Sequence, residues 1–314
     1  MRIGICLATG DMETEKPASL SDLAEQAEEA EELGFDSVWV NDHYWVEQDD
    51  QRRVGTLEPL IMLAYIAART KRVRLGTLVL CDAFRHPGQL AREAATLADG
   101  SGGRFILGIG AGWHEREFEV FGIPFSQRVS RLEETLQALP GLLAGERVTH
   151  DGHFLHLAEA SVVTTAPAAP VWVAAFRPRM IDLAARFANG WHASFLPPEP
   201  VWFSTLATQV RTGLETYHRD PSTFAITAGF HVLPVEGAER EKALARARRL
   251  AGGEGDRPMA ERAVVGGPED ILHALRAYEA AGAEEVILNL SLDPFGGFDR
   301  SYPARLSPVI KALR

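Results

Sequence analysis

Residues 72–110, RVRLGTLVLCDAFRHPGQLAREAATLADGSGGRFILGIG, predict a strand, a helix and a second strand in succession. The apolar runs RVRLGTLVL and RFILGIG each have the length of a buried strand. Between them, PGQLAREAATLADGSGG predicts a helix that stops at its glycines. A strand followed by a helix and another strand is the repeating unit of parallel α/β folds.

The same unit recurs along the chain, which predicts an α/β fold of the (β/α)8 barrel type. Eight apolar runs each precede an amphipathic segment: RIGICLA, FDSVWV, RVRLGTLVL, RFILGIG, VWVAA, GWHASF, FAITAGFHVLPV and EEVILNL. The length suits one barrel domain over residues 1–314. An open doubly wound sheet is the alternative, but it usually has fewer strands, and no turn here carries a complete nucleotide fingerprint.

Two segments interrupt this pattern and are predicted to be insertions in the barrel. Residues 145–170, after the fourth helix, predict a hairpin that turns at Asp151-Gly152 and leads into a Pro/Ala-rich connector. Residues 236–267, after the seventh strand, contain an Arg- and Ala-rich helix and a Gly-rich stretch, where barrels often carry a lid.

The overall composition limits the classes of partner. The chain is 46% hydrophobic and 24% charged, and no run approaches the length of a membrane span. Its net charge of -11 argues against nucleic acid or an anionic membrane as the partner. MRIGICLATG lacks the basic start and cleavage site of a secretory signal, and two cysteines cannot form a disulfide framework. We therefore expect a cytoplasmic protein that binds a small molecule.

The second predicted helix, LEPLIMLAYIAART, is apolar on more than one face. One face should pack on the barrel, and the excess indicates a second buried surface. We therefore expect a homodimer through this region. The apolar side chains are Leu57, Leu60, Ile61, Met62, Leu63, Tyr65 and Ile66.

Polar and aromatic residues follow the second strand, in NDHYW. Barrel enzymes carry their active sites at the carboxyl ends of the strands, where Asp42 and His43 fall. Histidine titrates near neutral pH, so His43 is a candidate acid or base, with a structural role as the alternative. Asp42 is expected to orient His43 or to accept a hydrogen bond from a ligand, and Tyr44 and Trp45 to wall the pocket.

Other motifs near the strand ends are weaker. Gly108, Gly110 and Gly112 resemble half of a dinucleotide fingerprint, but the last glycine is missing. HEREF begins like a zinc motif, yet Phe118 stands where the second histidine should be. The three histidines of the hairpin would be scattered over its faces, so no metal ligand is predicted. Cys81 is expected to be a small buried thiol and not a nucleophile.

Two late strand ends are candidates for binding a phosphate group. In AVVGGPED, Gly266 and Gly267 end a loop and open a helix, so their backbone N–H groups would face a ligand. In VWVAAFRPRM, small residues precede Arg177 and Arg179. The alternative is that these are tight turns with solvated arginines.

Together these motifs resemble the bacterial luciferase-like family of flavin- and deazaflavin-dependent oxidoreductases. The resemblance rests on GFDSVWVNDHYW, RVRLGTLVLCDAFRHPGQLAREAATLADGSGGR, GIGAGWHEREFEVFGIPF and VVGGPEDI, of which SGGRFILGIGAGW followed by FG is quite specific. It implies a (β/α)8 barrel, usually dimeric, with a flavin or deazaflavin ring at the carboxyl-terminal mouth.

The resemblance also implies roles for individual residues. His43 would lie beside the reactive edge of the ring as the acid or base, and Asp42 would contact the ring or its tail. A non-prolyl cis peptide at Leu78-Val79 would support one face of the ring.

Further positions follow from the same resemblance. Ala175, Gly266 and Gly267 would receive the cofactor phosphate. Some sugar-oxidising relatives have a catalytic glutamate where this chain has Trp113, so the sugar-phosphate reaction is not expected. Trp113 is instead expected to line the substrate pocket, together with Trp45.

The motifs DHY, CDAFRHP and GAGWHERE resemble the deazaflavin branch of the family. This favours hydride transfer with coenzyme F-420 (F420), an 8-hydroxy-5-deazaflavin, to or from a small organic substrate. The alternatives are a monooxygenase that uses reduced FMN and oxygen, and a non-catalytic flavin-binding homologue.

Overall fold

Eight parallel strands form a closed barrel in the computed structural model, which describes residues 1–11, 16–49, 52–164, 166–250, 263–290 and 301–314. Each strand pairs with its neighbours in chain order, and the eighth returns to the first. The predicted (β/α)8 barrel is therefore confirmed, and an open sheet is excluded. The strands are β1 Arg2–Cys6, β2 Ser37–Val40, β3 Arg74–Thr77, β4 Phe105–Gly110, β5 Val171–Ala174, β6 Gly190–Ala193, β7 Ala225–Pro234 and β8 Glu285–Asn289.

Helices connect the strands and bury their leucines and alanines against the barrel. The first helix is capped at its start by Ser19, which forms a capping box with Asp22, and at its end by Gly34, which has φ 94°. The helices are α1 Leu20–Leu33, α2 Pro59–Arg69, α3 Pro87–Gly100, α4 Glu115–Val120, α5 Arg128–Leu143, α6 Pro178–Phe187, α7 Val201–Thr216, α8 Gly237–Leu250, α9 Pro268–Ala280, α10 Tyr302–Arg305 and α11 Ser307–Ala312. No helix among the described residues is both long and apolar enough to cross a membrane.

The first insertion is a hairpin, as predicted. Val148–Asp151 pairs with His156–Ala160, and the chain turns between Asp151 and His156. Glu134 of α5 accepts hydrogen bonds from three successive N–H groups of this turn, at 2.8–2.9 Å. These hydrogen bonds hold the hairpin against α5.

The second insertion begins with the predicted helix, α8. It ends in a short strand, Ala263–Gly266, which pairs in parallel with the end of β7. The Gly-rich stretch between the two lies outside the described residues.

The barrel interior is a packed core. Trp39 and Trp172 stack with ring centroids 5.2 Å apart, and Cys6, Ile106 and Ile287 complete the cluster. At the amino-terminal end of the strands, the fully buried Glu285 accepts a hydrogen bond from Ser37 at 2.5 Å and pairs with Arg74. A ligand must therefore enter from the carboxyl-terminal mouth.

Candidate active site at the barrel mouth

A buried carboxylate, Glu117, joins the loops that follow β2 and β4. Its Oε2 lies 3.0 Å from Nδ1 of His43 and 3.3 Å from Nδ1 of His114. Its Oε1 accepts a hydrogen bond from the backbone N–H of Tyr44 at 2.5 Å. Because Glu117 is only 2% exposed, it is a fixed anchor for the predicted acid or base, His43.

This contact sets the proton position on His43. A carboxylate accepts hydrogen bonds, so Nδ1 of the neutral imidazole carries the proton and Nε2 has a free lone pair. Within the described residues, no protein group pairs with Nε2 of His43. Burial alone would raise the pKa of Glu117, but hydrogen bonds from His43 and Tyr44 and the nearby imidazoles outweigh it and lower that pKa.

Aromatic rings surround this pair. The Trp113 ring lies edge-on to His43, with centroids 5.5 Å apart, and the residue is 68% exposed. Trp45 lies 5.9 Å from the ring of His114. The structure thus brings both predicted pocket walls, Trp45 and Trp113, close to His43 and its partner.

Asp42 does not orient His43, contrary to one of the two roles expected for it. Its carboxylate binds the guanidinium of Arg85 through two hydrogen bonds of 2.5 and 3.1 Å and accepts the N–H of Cys81 at 2.8 Å. Arg85 also binds Glu58 at 2.7 Å. The two-point contact with Arg85 occupies the carboxylate oxygens of Asp42. Asp42 therefore links the loop after β2 to the turn after β3.

Sequence reasoning missed Glu117, which lies inside the HEREF motif. Phe118, the residue that breaks the zinc motif, is a core residue and 1% exposed. The available signal for Glu117 was its place three residues after His114 and beside a core phenylalanine. The donor atoms of His43, His114 and Glu117 all lie within 4.8 Å of one another, a spacing that could hold a metal ion.

The strand-three bulge has the expected backbone. The Leu78-Val79 peptide bond is cis, and both residues are partly exposed. A Cβ on Gly108 would lie 1.9 Å from the Thr77 carbonyl oxygen, and one on Gly110 would lie 2.9 Å from Cγ2 of Val79. These glycines therefore let β4 pack against the bulge. This close packing explains why glycines occur here, where the sequence resembles half of a dinucleotide fingerprint.

The predicted phosphate contacts are engaged within the protein. The N–H of Gly267 donates to Asp270 at 3.0 Å, so the expectation that it is free is wrong. The N–H of Ala175 donates to the His192 carbonyl at 3.2 Å, and Arg177 is exposed at the start of α6. The phosphate-binding role stays a prediction for Ala175, Arg177, Gly266 and Gly267.

The cysteines have the properties expected of structural thiols. Cys81 is 5% exposed, and burial raises the pKa of its thiol to about 12. Cys6 is also buried, and its pKa is raised to about 12 for the same reason. Neither thiol is set up as a nucleophile.

Comparison with known proteins identifies the family of the chain. The model of the luciferase-like monooxygenase family matches residues 1–258. The chain belongs to this family.

Several curated members of the luciferase-like family are similar to the chain. An F420-dependent glucose-6-phosphate dehydrogenase of Kineococcus radiotolerans is 34% identical over 72% of the chain and 68% of its own length. An F420-dependent hydroxymycolic acid dehydrogenase of Mycobacterium tuberculosis is 29% identical over 96% and 84%. A 5,10-methylenetetrahydromethanopterin reductase of Methanolobus tindarius is 32% identical, and the chain spans 59% of its length.

Solved structures of the luciferase-like fold match nearly the whole chain. An F420-dependent secondary alcohol dehydrogenase, solved with an F420-acetone adduct, has a TM-score of 0.81 at 21% identity and covers 100% of this chain and 99% of its own. The EDTA monooxygenase of Chelativorans sp. BNC1 has a TM-score of 0.82 at 16% identity, with coverage of 100% and 94%. The barrel alone therefore does not distinguish deazaflavin enzymes from flavin enzymes.

Proposed function

We propose that the chain is a coenzyme F420-dependent oxidoreductase that transfers a hydride to or from a small organic substrate. The observation that carries the proposal is the imidazole of His43, held by Glu117 with Nε2 unpaired at the barrel mouth. Relatives whose names state F420 dependence support the choice of cofactor.

The mouth has the surfaces that a flat tricyclic ring requires. Leu78 packs on the interior cluster of the barrel yet stays partly exposed, and Val79 beside it is also partly exposed. These two side chains form an apolar platform at the end of β3, and Trp113 stands next to His43. When bound there, coenzyme F420 supplies a carbon that accepts or donates two electrons as a hydride.

The chain's own residues move the accompanying proton. Nε2 of His43 accepts the hydroxyl proton of an alcohol as that substrate is oxidised, and returns it when a carbonyl is reduced. Glu117 stabilises the positive imidazolium through Nδ1 and keeps the ring in position. Trp45 and Trp113 line the space beside the reacting groups.

The proposed substrate is an alcohol, ketone, imine or enone without a phosphate group. Trp113 offers an apolar wall where sugar-oxidising relatives place a glutamate.

A turnover assay tests the proposal. Reduced F420 is mixed with the protein and a panel of ketones, imines and enones, and its reoxidation is followed by absorbance. We expect turnover with at least one compound, and a fall of about 10²–10⁴-fold in kcat for His43→Ala. Turnover that requires FMN and oxygen instead would favour a monooxygenase, the class to which the EDTA enzyme belongs. Full activity of His43→Ala would refute the acid/base role.

We also propose that residues 1–314 form one domain that assembles into a cytoplasmic homodimer. On α2, Ile61 is 62% exposed and Tyr65 is 38% exposed, while Leu60, Met62 and Leu63 are buried against the barrel. An apolar outer face of this kind is suited to packing against a second copy.

A further inference from the structure

A cavity lies behind the turn that follows β3, and neither His43 nor Glu117 lines it. It has a volume of about 300 Å³, is open on one side, and is lined by this turn, by α5 and by the hairpin. Phe84 separates it from the mouth, because its ring packs on Tyr44 and on Phe118, with centroids 5.0 and 5.4 Å apart. The side chains that line it include Asp82, Phe84, Arg131, Thr135, Phe154 and Leu155.

One wall of the cavity carries a buried carboxyl group without a partner. Asp82 is 3% exposed, and within the described residues neither of its side-chain oxygens has a hydrogen-bond partner. Burial raises the pKa of Asp82 to about 6, although the Thr135 hydroxyl and the Arg131 charge oppose the shift. Asp82 is therefore a buried carboxyl group with Thr135 and Arg131 nearby but without a hydrogen bond of ordinary geometry from the described residues, and such groups usually have a partner.

Another wall carries a cation that forms no salt bridge among the described residues. The Arg131 guanidinium lies 4.8 Å from the ring centroid of Phe154, and no carboxylate oxygen of the described residues lies within 4.0 Å of it. Asp82 and Arg131 line the same cavity but do not form an ion pair with each other. The space between them can therefore receive a molecule that has a donor at one end and an anion at the other.

We propose that this cavity binds a small organic acid that carries an ammonium or hydroxyl group, such as an amino acid or a hydroxy acid. The ammonium or hydroxyl donates to Asp82, and the carboxylate binds Arg131. The body of the molecule packs between Phe84 and Phe154.

Binding of defined probes tests the assignment. The two-ended probes, which carry both a carboxylate and an ammonium or hydroxyl group, are L-serine, L-phenylalanine, L-lactate and L-phenyllactate. The one-ended probes, acetate and ethylamine, carry only one of these groups. Calorimetry on the whole protein should detect a two-ended probe with a Kd of about 1 mM or tighter, and no comparable binding of the one-ended probes. The amino acids and the hydroxy acids then separate the ammonium from the hydroxyl.

Variants locate the bound probe. Asp82→Asn and Arg131→Gln should each weaken its binding about 10-fold or more, because each removes a hydrogen bond to a charged group. Matched changes on the exposed face of α3, Asp99→Asn and Arg92→Gln, should leave it unchanged. Asp82→Asn removes a buried charge and is expected to fold. The proposal is overturned if no two-ended probe binds, if the one-ended probes bind as well, or if both cavity variants keep full affinity.

Discussion

Glu117 acts on the chemistry through the proton position of His43. In Glu117→Gln, the amide oxygen can still accept the Tyr44 N–H, which places the amide NH2 group against Nδ1 of His43. That donor would hold the imidazole with its proton on Nε2, so His43 could no longer act as a base. We expect kcat to fall about 10²–10⁴-fold with a smaller change in KM.

The nitrogen chemical shifts of His43 distinguish this role from a structural one. In the wild type, ¹⁵N NMR should report a protonated Nδ1 and an unprotonated Nε2, and the two should exchange in Glu117→Gln. Glu119→Gln, on the exposed side of the same helix, is the matched control and should change neither the spectrum nor kcat. An unchanged tautomer with a lowered kcat would contradict the account.

Asp82 should lower the stability of the protein as the pH rises, which is the reverse of the usual effect of a carboxyl group. Its folded-state pKa of about 6 lies above the ordinary 3.8, so between these values the folded state binds the proton more tightly than the unfolded chain. Stability is therefore lost as the pH rises through this window. Asp82→Asn should raise the free energy of unfolding by about 2–3 kcal/mol near pH 8 and by almost nothing near pH 4. Denaturant unfolding at both pH values measures this, and an equal effect at both would contradict it.

For single residues, the sequence predicts where a side chain lies in the fold better than it predicts which side chain it contacts. His43, Trp45 and Trp113 fall at strand ends, which a pattern of apolar runs locates. Asp42 and Glu117 are both carboxylates near the same loop, and only the packed structure decides that Arg85 takes the first and His43 the second. The partner of a side chain depends on residues far away in sequence, and local patterns carry no information about them.

The bulge of β3 and the glycines of β4 form one packing unit. Gly108→Ala would bring a Cβ within 1.9 Å of the Thr77 backbone oxygen, which cannot move without distorting the bulge. We expect a loss of about 3 kcal/mol or more in the free energy of unfolding. Gly100→Ala, in a helix with nothing within 4 Å, should be neutral or stabilising by up to about 1 kcal/mol. Equal thermal melting of the two variants would show that the bulge tolerates the added methyl group.

Elements with a strong local pattern were predictable, and elements made by distant pairing were not. All eight barrel strands coincide with apolar runs, because a strand that is buried on both faces has few polar residues. The hairpin was readable from its Asp-Gly turn. The sequence predicts a loop where the short strand Ala263–Gly266 lies, since this strand forms only by pairing with β7.

The exposed apolar face of α2 predicts the oligomeric state of the molecule. If it packs against a second copy, sedimentation at micromolar concentration should give twice the chain mass of 34.4 kDa. Ile61→Asp should yield monomers, because it places a charge in the apolar contact. Val163→Asp, at a residue that is 98% exposed in the connector after the hairpin, should leave the dimer intact. A wild-type monomer would remove the proposed interface.

The central claim is that the barrel mouth receives a deazaflavin ring beside His43, and a cofactor titration tests it most directly. Trp113, exposed and 5.5 Å from His43, should report binding through quenching of its fluorescence, with Trp113→Phe as the control. We predict saturable quenching of the wild type by F420, little by FMN, and a smaller signal from the control. Saturable binding of FMN without binding of F420 would contradict the account.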